Sequence, residues 1–285
     1  MYGSICTDMT EFFVFRTALT LLVACLAADF ATAESAVIVP IRLLQHFPVL
    51  TAKIGGVPVL LQFDSGNSGS VSLTQAVLDT VKAVPTGEFS QGIDGKGNVM
   101  KYPKYKIPVI KIGAVTFKDV IGELDVHDPS YQATQVGQQG FLGTALLKNY
   151  RVVLDYSHRL ITLVSRESKE AGPCMGTAVP FLPEAHGEPA TKADIDLGSL
   201  RLAWDTGAPI SMISKSFAKA NGTQQSALTL KSKHLTLSGT DFGPLIFQIE
   251  ELSLPPWFAG FIGYNFFAHH VVCLDFPQNQ VLIQR

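Results

Sequence analysis

Two short segments, VPVLLQFDSG (57–66) and SLRLAWDTG (199–207), decide the fold of this 285-residue chain. Each is an apolar run that ends in the triplet Asp-Ser/Thr-Gly, with the aspartates at Asp64 and Asp205. Short apolar runs bounded by glycine predict buried β-strands, and Asp followed by Gly predicts a turn directly after each strand. A single triplet carries little weight, because ordinary residue usage produces one by chance in some chains of this length.

The chain around these triplets is duplicated. Residues 39–70 align with residues 179–211 at an offset of 140 to 141, which superimposes the two triplets. A second block, residues 140–163, aligns with residues 260–283 at a constant offset of 120. Internal repeats indicate structural units built on one plan. Two triplets at equivalent places, each with a serine six positions after its aspartate, are therefore much stronger evidence than one.

Strand patterns separated by Gly, Pro and Asp turns fill most of both halves, and each half has one short helical pattern, at residues 74–83 and 214–222. We therefore predict a mostly β protein with two related lobes. Residues 34–168 form the predicted N-terminal lobe and residues 169–285 the C-terminal lobe. The boundary falls in the polar, Gly- and Pro-containing segment 165–176.

The sequence resembles the aspartic peptidases, both the two-lobed pepsin-like enzymes and the retropepsin-like ones, and the spacing of its first half is most like the bacterial retropepsin-like members. It shares with them the strand that ends in Asp-Ser/Thr-Gly and a later apolar-apolar-Gly triplet, here residues 141–143 and 261–263. The resemblance covers most of the chain after residue 33. It implies lobes of the acid-protease β-barrel type with an active-site cleft between them.

The resemblance implies that Asp64 and Asp205, one from each lobe, are catalytic and activate a water that hydrolyses peptide bonds. Two carboxyl groups about 3 Å apart cannot both ionise and therefore share one proton, so one accepts a proton while the other donates. It further implies hydroxyl groups that bond across to the opposite lobe and glycines that let backbone N–H groups approach the carboxylates. These supporting residues are Ser65, Gly66, Thr206 and Gly207.

The first half is longer than the second, because the triplet-to-Gly distance is 76 residues from Asp64 to Gly140 and 55 residues from Asp205 to Gly260. Part of the insertion is residues 88–102, where turn-forming dipeptides predict a tight hairpin. This hairpin fits the single flap of a two-lobed enzyme, which closes over the cleft. An ordinary solvent-exposed hairpin is the alternative. The candidate flap residues are Gly92, Asp94, Gly95 and Gly97.

One departure from the pepsin-like pattern concerns the position three residues after each aspartate. Pepsin-like enzymes usually have Ser or Thr there, whereas this chain has Asn67 and Ala208. A hydroxyl that donates to the ionised carboxylate favours the ionised form, so its loss lets the pair hold its proton to higher pH. We therefore expect an optimum at about pH 4 to 6 rather than 2.

The N-terminus predicts export, because Arg16 precedes the apolar run 17–28 and residues 31–33 form an A-x-A cleavage pattern. Residues 1–33 are then a signal peptide of a periplasmic or secreted protein. Leu-Val-Ala-Cys at residues 22–25 also resembles a lipobox, which would make the segment a lipoprotein leader and anchor the protein to lipid through Cys25. The sequence leaves both possibilities open.

Export leaves Cys174 and Cys273 in an oxidising compartment, where they either form a disulfide or stay two separate buried thiols.

The charge pattern argues against nucleic acid as a partner. The formal net charge is −2, and the sequence has no dense Lys/Arg cluster to form the basic stripe that nucleic-acid binding needs. We expect a polypeptide substrate and, because both aspartates are in one chain, a monomer. No organic cofactor is implied.

Two other pairs of residues have structural explanations. His269-His270 lies in the second repeated block without a third ligand at useful spacing, so we expect no metal there. Asp155 and Asp275 each follow an apolar strand and precede a turn, which favours a turn-initiating role.

Two alternative functions remain: a non-catalytic binding or assembly module of the same fold, and a carboxylate-pair glycosidase, which needs acids about 5 Å or more apart.

Overall fold

The computed structural model describes residues 36–93, 99–126, 137–168, 172–182, 188–224, 226–254 and 258–285. Residues 34–285 form one compact unit. The predicted leader, residues 1–33, lies outside the described residues, so its cleavage and the acylation of Cys25 stay predictions, as does the division at residues 168 and 169. No helix in the described ranges is long and apolar enough to cross a membrane.

Short strands dominate both halves, as the sequence pattern predicts. The strands of the first half are β1 Ala36–Pro40, β2 Arg42–Leu44, β3 Phe47–Ile54, β4 Val57–Phe63, β5 Val71–Leu73, β6 Val84–Ile93, β7 Val99–Ile107, β8 Ile110–Ile112, β9 Val115–Phe117, β10 Val120–Leu124, β11 Gly140–Leu142, β12 Tyr150–Asp155 and β13 Leu160–Ser165. Those of the second half are β14 Thr177–Pro180, β15 Ala190–Ile195, β16 Gly198–Trp204, β17 Met212–Ser214, β18 Thr229–Ser232, β19 Leu235–Leu237, β20 Thr240–Asp241, β21 Leu245–Glu250, β22 Gly260–Ile262, β23 Val271–Asp275 and β24 Gln280–Gln284.

The helices are short and occupy equivalent places in the two halves. Gln75–Thr80 and Lys215–Ala220 are the two helices that the sequence pattern predicts. Ser214 begins the second of these, since its hydroxyl accepts a hydrogen bond from the backbone nitrogen of Phe217 at 3.2 Å. The other helices in the described residues are Tyr264–Phe267 and the 3-10 turns Thr144–Leu147 and Phe276–Gln278.

The strands form three sheets. Strands β2 to β11 make a ten-stranded sheet, and β15 to β22 make an eight-stranded sheet. Each of these is a curled half-barrel built from one half of the chain, which confirms the mostly β, two-lobed fold class. The third sheet has six strands and takes members from both halves, in the order β1, β13, β12, β23, β24 and β14.

The six-stranded sheet joins the halves through a local two-fold axis. Strands β12 and β23 pair antiparallel, and the residues equivalent in the repeat, Val153 and Cys273, face each other. On either side, Val152 pairs with Leu274, the equivalent of Leu154, and Leu154 pairs with Val272, the equivalent of Val152. This self-complementary pairing is the pattern of a two-fold interface, here formed within one chain.

A disulfide links Cys174 and Cys273, whose Cα atoms are 5.4 Å apart. Cys174 lies in the connection between the halves, and Cys273 lies in β23 at the centre of the six-stranded sheet. Both side chains are buried against Val153. Of the two possibilities left open by the sequence, the structure therefore has the cross-link, which closes a loop containing the whole eight-stranded sheet.

Candidate active site

The two aspartates occupy equivalent positions at the ends of central strands. Strand β4 lies between β3 and β11, and β16 lies between β15 and β22. The backbone nitrogen of Asp64 donates to the carbonyl of Leu142 at 3.0 Å, and that of Asp205 donates to the carbonyl of Ile262 at 3.0 Å. Each aspartate is therefore held where a parallel pair of strands ends.

Glycine is required where each apolar-apolar-Gly segment passes its aspartate loop. A Cβ atom at Gly143 would lie 2.3 Å from the carbonyl oxygen of Gly69, and one at Gly263 would lie 2.5 Å from that of Ile210. These distances are far below van der Waals contact, so a larger side chain would push the two backbones apart. Residues 141–143 and 261–263 therefore cross directly beside the aspartate loops.

Ser65 and Thr206 lock the two loops together. The hydroxyl of Ser65 donates to the carbonyl of Trp204 at 2.6 Å, and that of Thr206 donates to the carbonyl of Phe63 at 2.7 Å. Each hydroxyl also accepts from the backbone nitrogen of the other residue, at 2.9 Å and 3.0 Å. Both side chains are buried. These four hydrogen bonds link the two aspartate loops to each other.

Replacing Thr206 by Val is expected to lower the free energy of unfolding by about 2 to 4 kcal/mol, because the buried nitrogen of Ser65 and carbonyl of Phe63 both lose their partner. Valine has almost the same shape as threonine, so the loss is polar. Thr206→Ser is the matched control, since it keeps the oxygen and removes only a methyl group, at about 1 kcal/mol. Urea denaturation measures both. A valine variant as stable as the serine variant would contradict the role of the hydroxyl.

The carboxyl groups of Asp64 and Asp205 lie close together, since a Cβ atom on Gly207 would be 2.8 Å from Oδ1 of Asp64 and 3.0 Å from Oδ1 of Asp205. Each also accepts from the glycine of its own triplet, Gly66 at 3.0 Å and Gly207 at 2.7 Å. A Cβ atom on Gly66 would likewise lie 2.9 Å from Oδ1 of Asp205. Glycine therefore leaves the space in which the two carboxyl groups meet.

The pKa of Asp205 is raised well above its ordinary value. Burial is the largest cause, followed by the negative charge of Asp64, while the backbone donor of Gly207 works in the opposite direction. The pair therefore favours a state with one proton and one negative charge. Such a state holds a proton donor and a proton acceptor side by side.

Two further ionisable groups adjoin the pair, and sequence reasoning missed both. Tyr156 is fully buried next to the aromatic rings of Tyr264 and Phe267, and burial together with the charge of Asp205 raises its pKa well above the ordinary value. Glu188 is partly buried, and burial followed by the charge of Asp64 raises its pKa to about 7. In the repeat, Pro48 aligns with Pro189, and this alignment is the feature of the sequence that could have drawn attention to Glu188.

The positions of the pepsin-like hydroxyls, Asn67 and Ala208, have backbone roles instead. Their carbonyl groups accept hydrogen bonds from the backbone nitrogens of Thr144 and Tyr264, at 2.9 Å and 3.0 Å. The side-chain oxygen of Asn67 accepts from the nitrogen of Gly69 at 2.8 Å, which closes the loop locally. Ala208 is buried and offers no polar atom.

The predicted flap corresponds to a β-hairpin in the first lobe. Strands β6 and β7 pair antiparallel, with Gly92 opposite Met100 and Ile93 opposite Val99. The candidate tip residues Asp94, Gly95 and Gly97 lie outside the described residues, so their position stays a prediction.

Asp155 and Asp275 each accept a hydrogen bond from a backbone nitrogen three residues on. Oδ1 of Asp155 accepts from the backbone nitrogen of His158 at 3.0 Å, and Oδ1 of Asp275 accepts from that of Gln278 at 3.2 Å, which confirms their turn-initiating role. The pKa of His270 is lowered, mainly by burial. Within the ranges that the structure describes, no three His, Cys, Asp or Glu side chains are placed to hold a metal ion.

Comparison with known proteins gives a likeness of structure. No protein-family model matches the sequence, and no curated protein matches it. Among solved structures, an aspartic proteinase from Irpex lacteus superimposes with a TM-score of 0.62 over 87% of this chain and 96% of its own, at 13% identity. This chain has the fold of a two-lobed aspartic proteinase. Asp64 follows a strand of one half-barrel sheet and Asp205 follows a strand of the other.

Proposed function

We propose that this protein is an aspartic endopeptidase in which Asp64 and Asp205 activate a water molecule that hydrolyses peptide bonds. The observation that carries the proposal is the close approach of the two carboxyl groups, held on loops that are cross-linked by Ser65 and Thr206. The likeness to an aspartic proteinase supports a protease function in general. The arrangement of the carboxyl groups supports the mechanism.

The proposed reaction uses the single proton that the pair holds. The ionised carboxyl accepts a proton from a water molecule between the aspartates, and the protonated carboxyl donates to the carbonyl oxygen of the scissile bond. The water oxygen attacks the carbonyl carbon, and the tetrahedral intermediate collapses when a proton passes to the leaving nitrogen. The raised pKa of Asp205 keeps a proton in the pair at mildly acid pH. These steps need no metal or organic cofactor.

The proposal also covers the flap, the oligomeric state and the localisation of the protein. The hairpin of β6 and β7, with Gly92 and the tip residues 94–98, acts as a flap over an extended polypeptide substrate. The protein works as a monomer, because both aspartates belong to one chain. Its leader directs it to the periplasm or outside the cell, as a soluble protein or as one anchored through Cys25.

The arrangement of Asp64 and Asp205 favours a peptidase over a glycosidase or a non-catalytic module. The carboxyl groups meet beside Gly207 and the charge of Asp64 raises the pKa of Asp205, which favours a shared proton over the separated acids, about 5 Å or more apart, of carboxylate-pair glycosidases. A non-catalytic binding or assembly module of the same fold has no use for a shared proton, and the retention of both aspartates favours turnover.

Digestion of a peptide library tests the proposal. The chain from Glu34 onward should cleave peptides between pH 3 and 7, with the products identified by mass spectrometry. Asp64→Asn and Asp205→Asn should each cleave nothing above background. Binding of library peptides by wild type without cleavage would instead support the non-catalytic module.

The pH–rate profile is expected to peak between about pH 4 and 6, because the raised pKa of Asp205 moves the loss of the shared proton upward. Replacing Ala208 by Ser, which adds a hydroxyl next to the pair, should lower the alkaline pKa of the profile by about one unit. Ala218→Ser, at a buried alanine of the helix Lys215–Ala220, is the control and should leave the profile unchanged. A peak below about pH 3 in wild type would contradict this prediction.

A further inference from the structure

Glu188 lies directly beside the carboxyl pair because of the register of two strands. In the antiparallel pairing of β15 with β16, Ala190 faces Ala203. The ladder continues past the end of β15, since the backbone nitrogen of Trp204 donates to the carbonyl of Pro189 at 2.7 Å. One further step in the same register puts Glu188 opposite Asp205.

The equivalent position in the first half is apolar. In the pairing of β3 with β4, Val49 faces Gln62, and two further steps put Phe47 opposite Asp64. Phe47 and Glu188 each precede a proline and occupy the same place in the repeat. The strands around the two aspartates are otherwise matched between the halves. The carboxyl group of Glu188 therefore adds an acidic side chain beside Asp205, where the first half has the apolar Phe47 beside Asp64.

The charges that act on Glu188 from the described part of the chain are negative. Glu188 interacts electrostatically with Asp64 and Asp205, both acidic, and Tyr156 interacts with the same two aspartates. In the part of the chain that the structure describes, no Lys, Arg or His forms an ion pair with Glu188. Burial and the charge of Asp64 raise its pKa to about 7, so it is mostly neutral at mildly acid pH.

A substrate cation would change that state. A Lys or Arg side chain beside Glu188 favours the ionised carboxylate and pairs with it, in a partly dry cleft where the attraction is stronger than in water. A substrate residue with a neutral or acidic side chain offers no such gain. An extended peptide points successive side chains to opposite faces, so one residue next to the scissile bond faces Glu188 and the next does not.

We propose that Glu188 is a specificity-determining residue that selects peptides with Lys or Arg at one position flanking the scissile bond. This inference rests on the proposed peptidase function and names the substrate class of the same site. Phe47, at the equivalent position of the other half, provides an apolar wall there. The acidic and apolar walls together define the direction in which a substrate binds.

The test compares peptides that differ only at the residues flanking the scissile bond, with Lys or the uncharged norleucine at each in turn. Wild type should show a kcat/KM ratio of Lys to norleucine of about 10 at one of the two positions. Glu188→Gln should bring this ratio close to 1, because the Lys peptide loses its carboxylate partner and the norleucine peptide has none to lose. The ratio for wild type should also rise from pH 4 to pH 7, and that of the glutamine variant should stay flat.

Two controls separate the possible failures. Glu251→Gln removes a carboxyl group that pairs with Lys215 at 2.9 Å on the surface of the same half, and it should keep the wild-type ratio. Glu188→Lys should reverse the preference toward Glu at the same position. An unchanged ratio in Glu188→Gln, or an equal loss of both substrates in that variant, would overturn the specificity role while leaving the peptidase intact. If wild type cleaves neither peptide, the proposed peptidase function is wrong, and the inference about Glu188 is wrong as well.

Discussion

Replacing Asp205 by Asn is expected to lower kcat/KM for peptide hydrolysis by at least about 10³-fold, because an amide neither accepts nor supplies the proton that the pair exchanges. Asparagine has nearly the same shape, and its oxygen still accepts the hydrogen bond from Gly207. The loss therefore concerns chemistry rather than placement. Asp64→Asn should have the same effect. Steady-state kinetics on one peptide from the library measure both.

The fold of this variant should be at least as stable as that of wild type. The pKa of Asp205 is raised in the folded chain, so its contribution to stability is present at low pH and is lost as pH rises through that pKa. Asparagine does not ionise and escapes this loss, so denaturation near neutral pH should show no decrease in the free energy of unfolding. Asp155→Asn, the same change at a turn aspartate, is the control and should keep activity within threefold. Activity of Asp205→Asn within tenfold of wild type would contradict the assignment.

Removing the disulfide is expected to lower the free energy of unfolding by about 3 to 4 kcal/mol. The sequence separation of Cys174 and Cys273 is 99 residues, so the cross-link restricts a long loop in the unfolded chain. It also fastens the connection between the halves to the six-stranded sheet. The double variant Cys174→Ala, Cys273→Ala should show the loss in urea denaturation under oxidising conditions.

Reduction provides the matched comparison. Wild type treated with dithiothreitol should fall to the stability of the double variant, apart from a small contribution from packing of the two sulfur atoms against Val153. The double variant itself should not respond to dithiothreitol. Equal stability of oxidised wild type and the double variant would show that the cross-link does not restrict the unfolded chain.

Repetition is the reason why much of this structure could be predicted from the sequence. The positions of Asp64 and Asp205 at strand ends follow from local apolar patterns, and their equivalence follows from the alignment of the two halves. Once the halves are related, the crossing segments 141–143 and 261–263 fall beside the aspartates. Each of these steps uses residues that are close in sequence or matched by the repeat.

The features that escaped prediction depend on contacts between distant segments. Glu188 approaches the pair only through the register of β15 against β16, and no local pattern distinguishes it from a surface glutamate. Tyr156 reaches the buried space near the aspartates because β12 lies in the shared six-stranded sheet. The pairing of Cys174 with Cys273 likewise depends on the path of the connection between the halves. In all three cases the chemical behaviour of the side chain depends on its burial, and burial cannot be read from the composition.

The central claim is that one water molecule reacts between the carboxyl groups of Asp64 and Asp205. Titration of peptide hydrolysis with a statine-type inhibitor tests it most directly, because the hydroxyl of the inhibitor takes the place of that water. The account predicts that one equivalent abolishes hydrolysis by wild type and that Asp205→Asn binds the inhibitor at least about 100-fold more weakly. Hydrolysis that persists in saturated wild type, or equally tight binding by the variant, would contradict the account.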